Sequence, residues 1–214
     1  MSSKAVEVGS RNAILASLCR NAPPASPLLE APPAAIVYDD PEKQFAETFT
    51  SVGGKFVRVA SIVEIDAELE KLESYTQARK IASLVLGVGR ATPGTARSNQ
   101  TLVDLAALKD PHELEELDFA IIAGEFGVAE NGAVWIAGSA LGPLRAIFVI
   151  TQHLALVVPA TQIVHNMHQA YDRIRFERPG FGVFISGPSK TADIEQALVI
   201  GAHGARSCAL FLVG

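Results

Sequence analysis

The stretch "FGVFISGPSKTADIEQALVIGAHGARSCALFLV", residues 181–213, decides the fold of this chain. It opens with an apolar run over residues 181–185 and closes with another over residues 207–213, and both have the length of a buried strand. Between them, the spacing of apolar residues predicts a helix over residues 192–200, which Gly201 is suited to end. The order strand, helix, strand is typical of a parallel sheet with a crossover helix.

The same alternation extends upstream from that stretch. It predicts a single α/β domain in which a parallel-rich sheet is flanked by helices. Residues 125–135 interrupt the alternation with two short strands around Glu130-Asn131-Gly132, and Asn-Gly is a strong β-hairpin signal. The remaining predicted elements are helices over residues 41–52, 61–73 and 161–172 and strands over residues 55–59, 81–86, 117–123 and 154–158.

The first 35 residues differ in character from the rest of the chain. Residues 10–20 predict a short amphipathic helix with Ile14, Leu15 and Leu18 on one face. Residues 21–35 are rich in proline and alanine, which predicts an extended linker. We therefore expect an N-terminal helix and linker over residues 1–35 and an α/β domain over residues 36–214.

The composition excludes several classes of function. Hydrophobic residues make up 49% of the 214 residues, so a buried core is easily supplied, and the net charge of -5 argues against a general nucleic-acid binder. No apolar run approaches the length of a membrane span, and the N-terminus lacks the apolar core of a signal peptide. The sequence predicts a cytoplasmic protein that binds neither nucleic acid nor membrane.

The two cysteines, Cys19 and Cys208, are far apart in the sequence and lie in apolar surroundings. We expect reduced thiols. Two cysteines without a CxxC pattern cannot by themselves hold an iron–sulfur cluster or a structural zinc, so no cofactor is predicted for this chain.

The joint between the strand ending at residue 185 and the predicted helix concentrates groups that bind anions. Gly187 permits close approach of a ligand, Ser189 and Thr191 are hydroxyl donors, and Lys190 brings a positive charge. The first amides of a helix also attract anions. The joint is not a Walker loop, because Pro188 stands where the lysine should follow.

A plain turn explains the same joint. Thr191 or Asp193 then caps the predicted helix, and Asp193 with Gln196 fits a capping box. The residues alone leave both interpretations open.

Other candidate residues lie outside the joint. Glu130 displays a carboxylate that would serve as nucleophile or base, although turn formation also accounts for it. His203 lies in the turn between the predicted helix and the last strand. We expect such a turn at the edge of the sheet opposite the strand-to-helix loops. A structural role for His203 explains the residue equally well. Arg145 and His153 are further polar candidates.

Three segments resemble the lactate utilization protein C family, the LUD domain. They are "FGVAENGAVW" at 126–135, "QHLALVVP" at 152–159 and, above all, "FISGPSKTADIEQALVIGAHGARSCALFLV" at 184–213. The resemblance runs from about residue 36 to the end. Residues 186–195 match the family's Ser-Gly-Pro-Ser-[Lys/Arg]-Thr-Ala-Asp-Ile-Glu run.

The resemblance includes departures as well as matches. Gly201, His203 and Gly204 follow the family's Gly-x-His-Gly-Pro pattern, but Ala205 replaces the proline. Asn131 and Ala133 replace the threonines of an Ala-Glu-Thr-Gly-Thr hairpin, so a ligand that touches those hydroxyls would be different here, or absent. Arg145 and His153 fall where the family tends to keep an arginine and a histidine.

The resemblance implies a fold similar to the NagB/RpiA/CoA-transferase group. It also implies a role in the oxidation of L-lactate to pyruvate beside two partner proteins that carry the iron–sulfur clusters. The candidate catalytic residue is Glu130. The candidates for binding a small anionic metabolite are Ser186, Gly187, Ser189, Lys190, Thr191, Asp193, Arg145, His153 and His203.

Three hypotheses of function remain at this point. The first is a subunit that binds a small anion or docks on redox partners during lactate oxidation. The second is an independent enzyme of the CoA-transferase or isomerase type that uses Glu130. The third is a binding module for a carboxylate or phosphate metabolite.

Overall fold

The structure is a computed structural model that describes residues 3–27, 35–89, 100–108, 110–141, 144–175, 180–192, 198–200 and 203–214. The chain divides into two units, Met1–Ala34 and Ala35–Gly214. In the first unit, helix α1 (Ser3–Arg20) leaves Ile14, Leu15 and Leu18 exposed. None of the described helices has the length and apolar character needed to cross a membrane.

The second unit contains the remaining elements. Its α-helices are α2 (Pro41–Ser51), α3 (Ile65–Leu69), α4 (Glu73–Thr76), α5 (Ile147–Ile150) and α6 (Met167–Arg173). Its strands are β1 (Lys55–Val59), β2 (Lys80–Ser83), β3 (Thr101–Leu102), β4 (Phe119–Ala123), β5 (Phe126–Val128), β6 (Ala133–Ala137), β7 (His153–Pro159), β8 (Ile163–Val164), β9 (Gly182–Ile185), β10 (Lys190–Ala192), β11 (Leu198–Ile200) and β12 (Ser207–Val213). Short 3-10 helices cover Ile62–Glu64, Leu105–Ala107, Pro111–Leu114, Gly138–Ala140 and Ala160–Gln162.

The central sheet has six strands in the order β1-β12-β7-β4-β2-β3, and every pair in it is parallel. This confirms the predicted α/β class with a parallel-rich sheet. The inner strands are buried on both faces, which explains why residues 208–212 of β12 form an uninterrupted apolar run. Successive residues of these strands enter different core clusters on the two faces.

One face of the central sheet packs on α3 and α4, through Ile65, Leu69 and Tyr75. The opposite face packs on α2, through Phe45 and Phe49, and on the second sheet. That second sheet has the order β8-β5-β6-β9, and its outer face is covered by α6.

The predicted hairpin is present as β5 and β6, which pair in antiparallel fashion around the turn. Gly132 has φ +65°, and the Asn131 side chain accepts the Ala133 amide at 3.1 Å. The Asn-Gly pair therefore forms the turn that its residue types favour.

The helix predicted over residues 192–200 is wrong at its described positions. Leu198–Ile200 is a strand that pairs antiparallel with Lys190–Ala192. Leu198-Val199-Ile200 is apolar and mostly β-branched, a composition that fits a strand better than a helix. The proposed caps at Asp193 and Gln196 lie outside the described residues.

Two other predicted helices are shorter than expected. Residues 161–172 begin with strand β8, because Ile163 and Val164 pair with β5, and the helix starts only at Met167 after the Asn166 cap. Residues 61–73 divide into a 3-10 turn, α3 and the start of α4.

Candidate functional site

The loop after β9 packs on the C-terminal end of α2. Gly187 and Pro188 are buried, and Pro188 lies against Gly53. Gly187 has φ +75°, and a Cβ there would come 3.0 Å from the Val52 carbonyl oxygen. The Lys190 ammonium donates to that same carbonyl, a favourable place for a cation because the C-terminal end of a helix carries partial negative charge.

The hairpin turn joins this loop from one side. The Ser186 hydroxyl donates to the Asn131 carbonyl at 2.8 Å. Gly132 sits on α2, where an added Cβ would lie 2.8 Å from the Phe49 amide nitrogen. Only a glycine permits this close approach of turn and helix.

The turn before β12 joins the loop from the other side. The Ser189 hydroxyl donates to the His203 carbonyl at 3.1 Å, and the Ser189 amide donates to the Ala205 carbonyl at 2.8 Å. We call the assembly of residues 130–132, 186–190 and 203–205 on residues 48–54, which comprise the last turn of α2 and the three residues after it, the motif junction. Segments that are far apart in the sequence and carry the family resemblance thus meet in one place.

The expectation that His203 lies away from the Ser186–Lys190 loop is wrong. It assumed one sheet, in which strand-to-helix loops and helix-to-strand turns lie at opposite edges. In the structure β9 belongs to the four-stranded sheet and β12 to the six-stranded sheet, so the end of one strand reaches the beginning of the other.

The donors of the loop are engaged by protein carbonyls in this structure. The side chains of Ser186, Ser189 and Lys190 all donate to backbone oxygens. An anion that binds these side chains would have to take the place of those oxygens as the hydrogen-bond acceptor. Thr191 lies in β10 and its side chain is outside the described set, as is all of Asp193. The anion-binding role of this loop stays a prediction.

Glu130 is exposed and has a defined hydrogen-bonding role. Its carboxylate accepts the Met167 amide at 2.9 Å, at the first residue of α6. Its own amide donates to the His165 carbonyl at 3.0 Å. The carboxylate therefore caps a short helix, and the assignment as nucleophile or base stays a prediction.

Arg145 and His203 are exposed. The Arg145 guanidinium lies 4.9 Å from the centre of the Phe181 ring, so its described contact is a cation–π pair rather than a member of the junction. His203 contributes its carbonyl to Ser189, as described above.

His153 lies at a different place, the amino end of the central sheet. Its Nδ1 is 2.8 Å from the Ser207 hydroxyl, and its ring stacks on Phe119 at 6.4 Å between centroids. The register of the parallel strands places Ser207, His153 and Phe119 side by side. Partial burial lowers the pKa of His153 below its ordinary value, and the nearby Arg206 charge lowers it further, against a smaller opposing effect of Asp118. A neutral imidazole at pH 7 follows.

Two adjoining clefts open beside His153, and we call them together the amino-edge cleft. One has a volume of about 290 Å³ and the other about 210 Å³, and they share the Ser74 and His153 side chains. Several residues that line this cleft were not predicted as site residues, namely Lys55, Ser74, Arg206 and Ser207. A signal for them exists, because parallel strands begin at one edge of the sheet. Five of the six strands begin with polar residues, which are Lys55, Lys80, Thr101, His153 and Ser207.

The fold and the junction define a mixed α/β protein with a parallel central sheet and a smaller, mainly antiparallel sheet packed on one face. The chain belongs to the LUD domain family, whose profile matches residues 43–213. Membership confirms the resemblance found in the motifs.

Individual relatives match less than half of the chain. Lactate utilization protein C of Shouchella clausii is 34% identical over 97 residues, 43% of this chain and 42% of the relative. Lactate utilization protein C of Bacillus subtilis is 36% identical over 107 residues, 46% of this chain and 43% of the relative. The matched part of the chain therefore spans less than half the length of these relatives.

A solved structure supports the fold. The crystal structure of a DUF162 family protein from Deinococcus radiodurans aligns with a TM-score of 0.56 and 17% identity, covering 81% of this chain and 96% of the other. At this identity the likeness concerns the fold alone.

Proposed function

We propose that this chain is a subunit of a lactate utilization system. It supports the oxidation of L-lactate to pyruvate while partner proteins carry the iron–sulfur clusters and the electrons. Family membership and the names of the two relatives support the pathway. The motif junction carries the proposal, because the family's motif segments form one hydrogen-bonded unit in this chain.

The chemistry of the cysteines supports placing the clusters on partners. Cluster ligation requires thiolates, and a [4Fe–4S] cluster generally takes four of them. The chain has two cysteines, and burial raises the pKa of the Cys208 thiol to about 12. This side chain is 2% exposed, so it is held as a neutral thiol in the core.

We propose that helix α1 supplies part of the contact with a partner. Ile14, Leu15 and Leu18 are 58%, 43% and 62% exposed, and residues at these spacings share one face of a helix. An apolar helix face is a common element of protein recognition, since it fits a groove on another protein.

Growth and co-purification test the proposed function. Deleting the gene in the source organism should abolish or slow growth on L-lactate and leave growth on glucose unchanged, and the intact gene should restore it. An affinity-tagged full-length chain should co-purify with proteins that show the absorption of iron–sulfur clusters. Normal growth on L-lactate after deletion would contradict the role in the pathway.

Matched variants of α1 test the docking face. Leu18→Glu places a charge within the apolar face and should reduce co-purification of the cluster proteins. Ala16→Glu adds the same charge about 150° around the helix from that face, given the 100° turn per residue, and should leave it unchanged. Equal recovery of partners by the two variants would exclude this face.

A further inference from the structure

The His153–Ser207 pair has the geometry of a nucleophile and its general base. The Nδ1 atom of His153 lies 2.8 Å from the Ser207 hydroxyl oxygen, and among the described residues the Ser207 side chain has no other hydrogen-bond partner. With the ring proton on Nε2, Nδ1 accepts the hydroxyl hydrogen directly. A serine becomes reactive when a base within hydrogen-bonding distance can take its proton as it attacks.

The central sheet holds this pair in place. His153 and Ser207 are the first residues of β7 and β12, and the register of these parallel strands sets them side by side. The imidazole stacks on Phe119, the first residue of β4, with 6.4 Å between ring centroids. Three adjacent strands therefore fix the orientation of the hydroxyl and the imidazole, as a preorganised site requires.

His153 has the protonation state that a general base requires. Burial lowers the pKa of His153, and the Arg206 charge lowers it further, so the imidazole is neutral at pH 7. Asp118 acts in the opposite direction, but its Oδ2 accepts the Arg79 and Lys80 amides at 2.7 and 2.9 Å. The ring nitrogen is therefore available to take a proton.

The pair opens into one of the two clefts at this edge. His153 and Ser207 both line the cleft of about 290 Å³. Its walls also include Leu72, Phe119 and Leu154, which belong to the apolar core. Such walls suit a short carbon chain.

The charges around this cleft favour a neutral ligand. Lys71 is paired with Glu68 at 2.6 Å. Lys55 and Glu73 line the same cleft with opposite charges. With one cation and one anion on its walls, the cleft does not favour either sign of charge in a ligand.

We propose that Ser207 is a nucleophile that accepts a short acyl group from a neutral, activated ester, with His153 as its general base. The Ser207 oxygen forms a bond to the acyl carbon while its proton moves to Nδ1 of His153. The bond from the acyl carbon to the leaving oxygen breaks with its electron pair, and the imidazolium gives the proton to that oxygen. Water, deprotonated by the same imidazole, then releases the carboxylic acid and restores the serine.

A fluorophosphonate probe on the purified full-length chain locates the nucleophile. A small alkyl fluorophosphonate reacts with an activated serine by loss of fluoride and leaves a phosphonate ester that is stable to water. Peptide mapping by mass spectrometry should find this label on Ser207. A chain without label at Ser207 would overturn the proposal, and this result does not depend on the folding of any variant.

Two variants and one control assign the roles, with release of nitrophenolate from p-nitrophenyl acetate as the measured rate. Ser207→Ala should lose the rapid release. His153→Gln keeps a side chain that can hydrogen-bond to Ser207 but cannot act as a base, and it should slow the release at least about 100-fold. His112→Gln removes an exposed histidine outside the cleft and should leave the rate unchanged. The melting temperature of each variant confirms its folding.

The pH profile distinguishes general-base catalysis from chance labelling of an exposed serine. The rate should rise with pH until His153 has lost its proton, with the midpoint that its ring resonances give by NMR, and should then level off. A rate that is equal in His153→Gln and the unaltered chain, or one that keeps rising at alkaline pH, would exclude His153 as the base.

This proposal goes beyond the proposed function and does not depend on it. Labelling is a property of the isolated chain and requires neither partner proteins nor lactate. Failure of Ser207 to react would leave the growth phenotype as the test of the pathway, and normal growth on L-lactate after deletion would leave the labelling result as the test of Ser207.

Discussion

The Nδ1 atom of His153 lies 2.8 Å from the Ser207 hydroxyl, across two neighbouring parallel strands. The pair exists because β7 and β12 each begin at the same edge of the sheet. Burial of the imidazole lowers the pKa of His153 below its ordinary value of 6.5, and the Arg206 charge adds to the decrease.

We expect His153 to titrate with a midpoint below 6.5 when its ring resonances are followed by NMR against pH. Arg206→Gln should move the midpoint upward but not fully to 6.5, since burial is the larger cause. Arg58→Gln removes the same charge from the far half of β1, where the guanidinium pairs with Glu42, and should leave the midpoint in place. A midpoint above 6.5 in the unaltered chain would contradict the assigned environment.

The same pKa shift predicts a dependence of stability on pH. Below about 6.5 the unfolded chain binds a proton at this position that the folded chain rejects, so His153 makes the free energy of unfolding decrease as the pH falls from 6.5 through the lowered pKa. His153→Gln should flatten this slope in urea denaturation. His112 acts in a different pH range, because its hydrogen bond to Asp110 raises the pKa of His112 above 6.5. Its stabilising effect is complete below about 6.5 and is lost as the pH rises through the raised pKa. His112→Gln should therefore change the pH dependence above 6.5 and leave the slope below 6.5 unchanged, and a steeper slope below 6.5 in His153→Gln would refute the sign assigned to His153.

Glu130 provides a test between capping and catalysis. In Glu130→Gln the amide oxygen still accepts the Met167 N–H, so only the attraction of the charge to the helix is lost, about 0.3–1 kcal/mol. Glu130→Ala also removes the hydrogen bond and should cost about 1 kcal/mol more in urea denaturation. If lactate-dependent growth survives Glu130→Gln, a role as nucleophile is excluded. If growth is lost while stability is unchanged, capping is not the whole role of this residue.

The two thiols should react at very different rates. Cys19 is exposed, whereas Cys208 is buried and its pKa is raised to about 12. Since the thiolate is the reactive form, an aromatic disulfide reagent should label Cys19 in the folded chain and Cys208 only after addition of denaturant. Cys19→Ser should show no rapid labelling under native conditions. Rapid labelling of that variant would indicate that the core around β12 opens readily.

Part of the fold was predictable from local sequence patterns, such as the apolar run that burial on both faces imposes on β12. The runs over 55–59 and 207–213 were identified with correct bounds, and the Asn131-Gly132 turn was identified from its residue types. The helix predicted over 192–200 failed because a short apolar run with residues such as Val199 and Ile200 fits either a helix or a strand, and tertiary pairing with Lys190–Ala192 decided it.

Individual residues of the motif junction were predictable from the sequence, but the contacts that bring them together were not. The motif identified Ser186 to Lys190, but the bonds from Ser189 to the carbonyls of His203 and Ala205 depend on how the two sheets pack. The amino-edge cleft was missed for a simpler reason. The strand that begins at His153 was predicted to begin at residue 154, which removed the histidine from the row of polar residues at the sheet edge.

The contact between the hairpin and α2 predicts unequal costs for two glycine substitutions. Gly132 and Gly87 both have positive φ, +65° and +81°, so alanine at either position carries about 1–2 kcal/mol of backbone strain. At Gly87 an added Cβ meets no atom within 4 Å, whereas at Gly132 it would lie 2.8 Å from the backbone nitrogen of Phe49. Backbone of a packed helix cannot move aside without disturbing the core, so Gly132→Ala should cost a further 1–3 kcal/mol, roughly, as overpacking does.

Urea denaturation of Gly132→Ala and Gly87→Ala measures this difference directly, because the strain common to both cancels in the comparison. We expect Gly132→Ala also to reduce lactate-dependent growth, since the turn that it displaces carries the Asn131 carbonyl to which Ser186 donates. Equal loss of stability in the two variants would mean that the turn does not rest on α2, and the motif junction would lose the hairpin as a member.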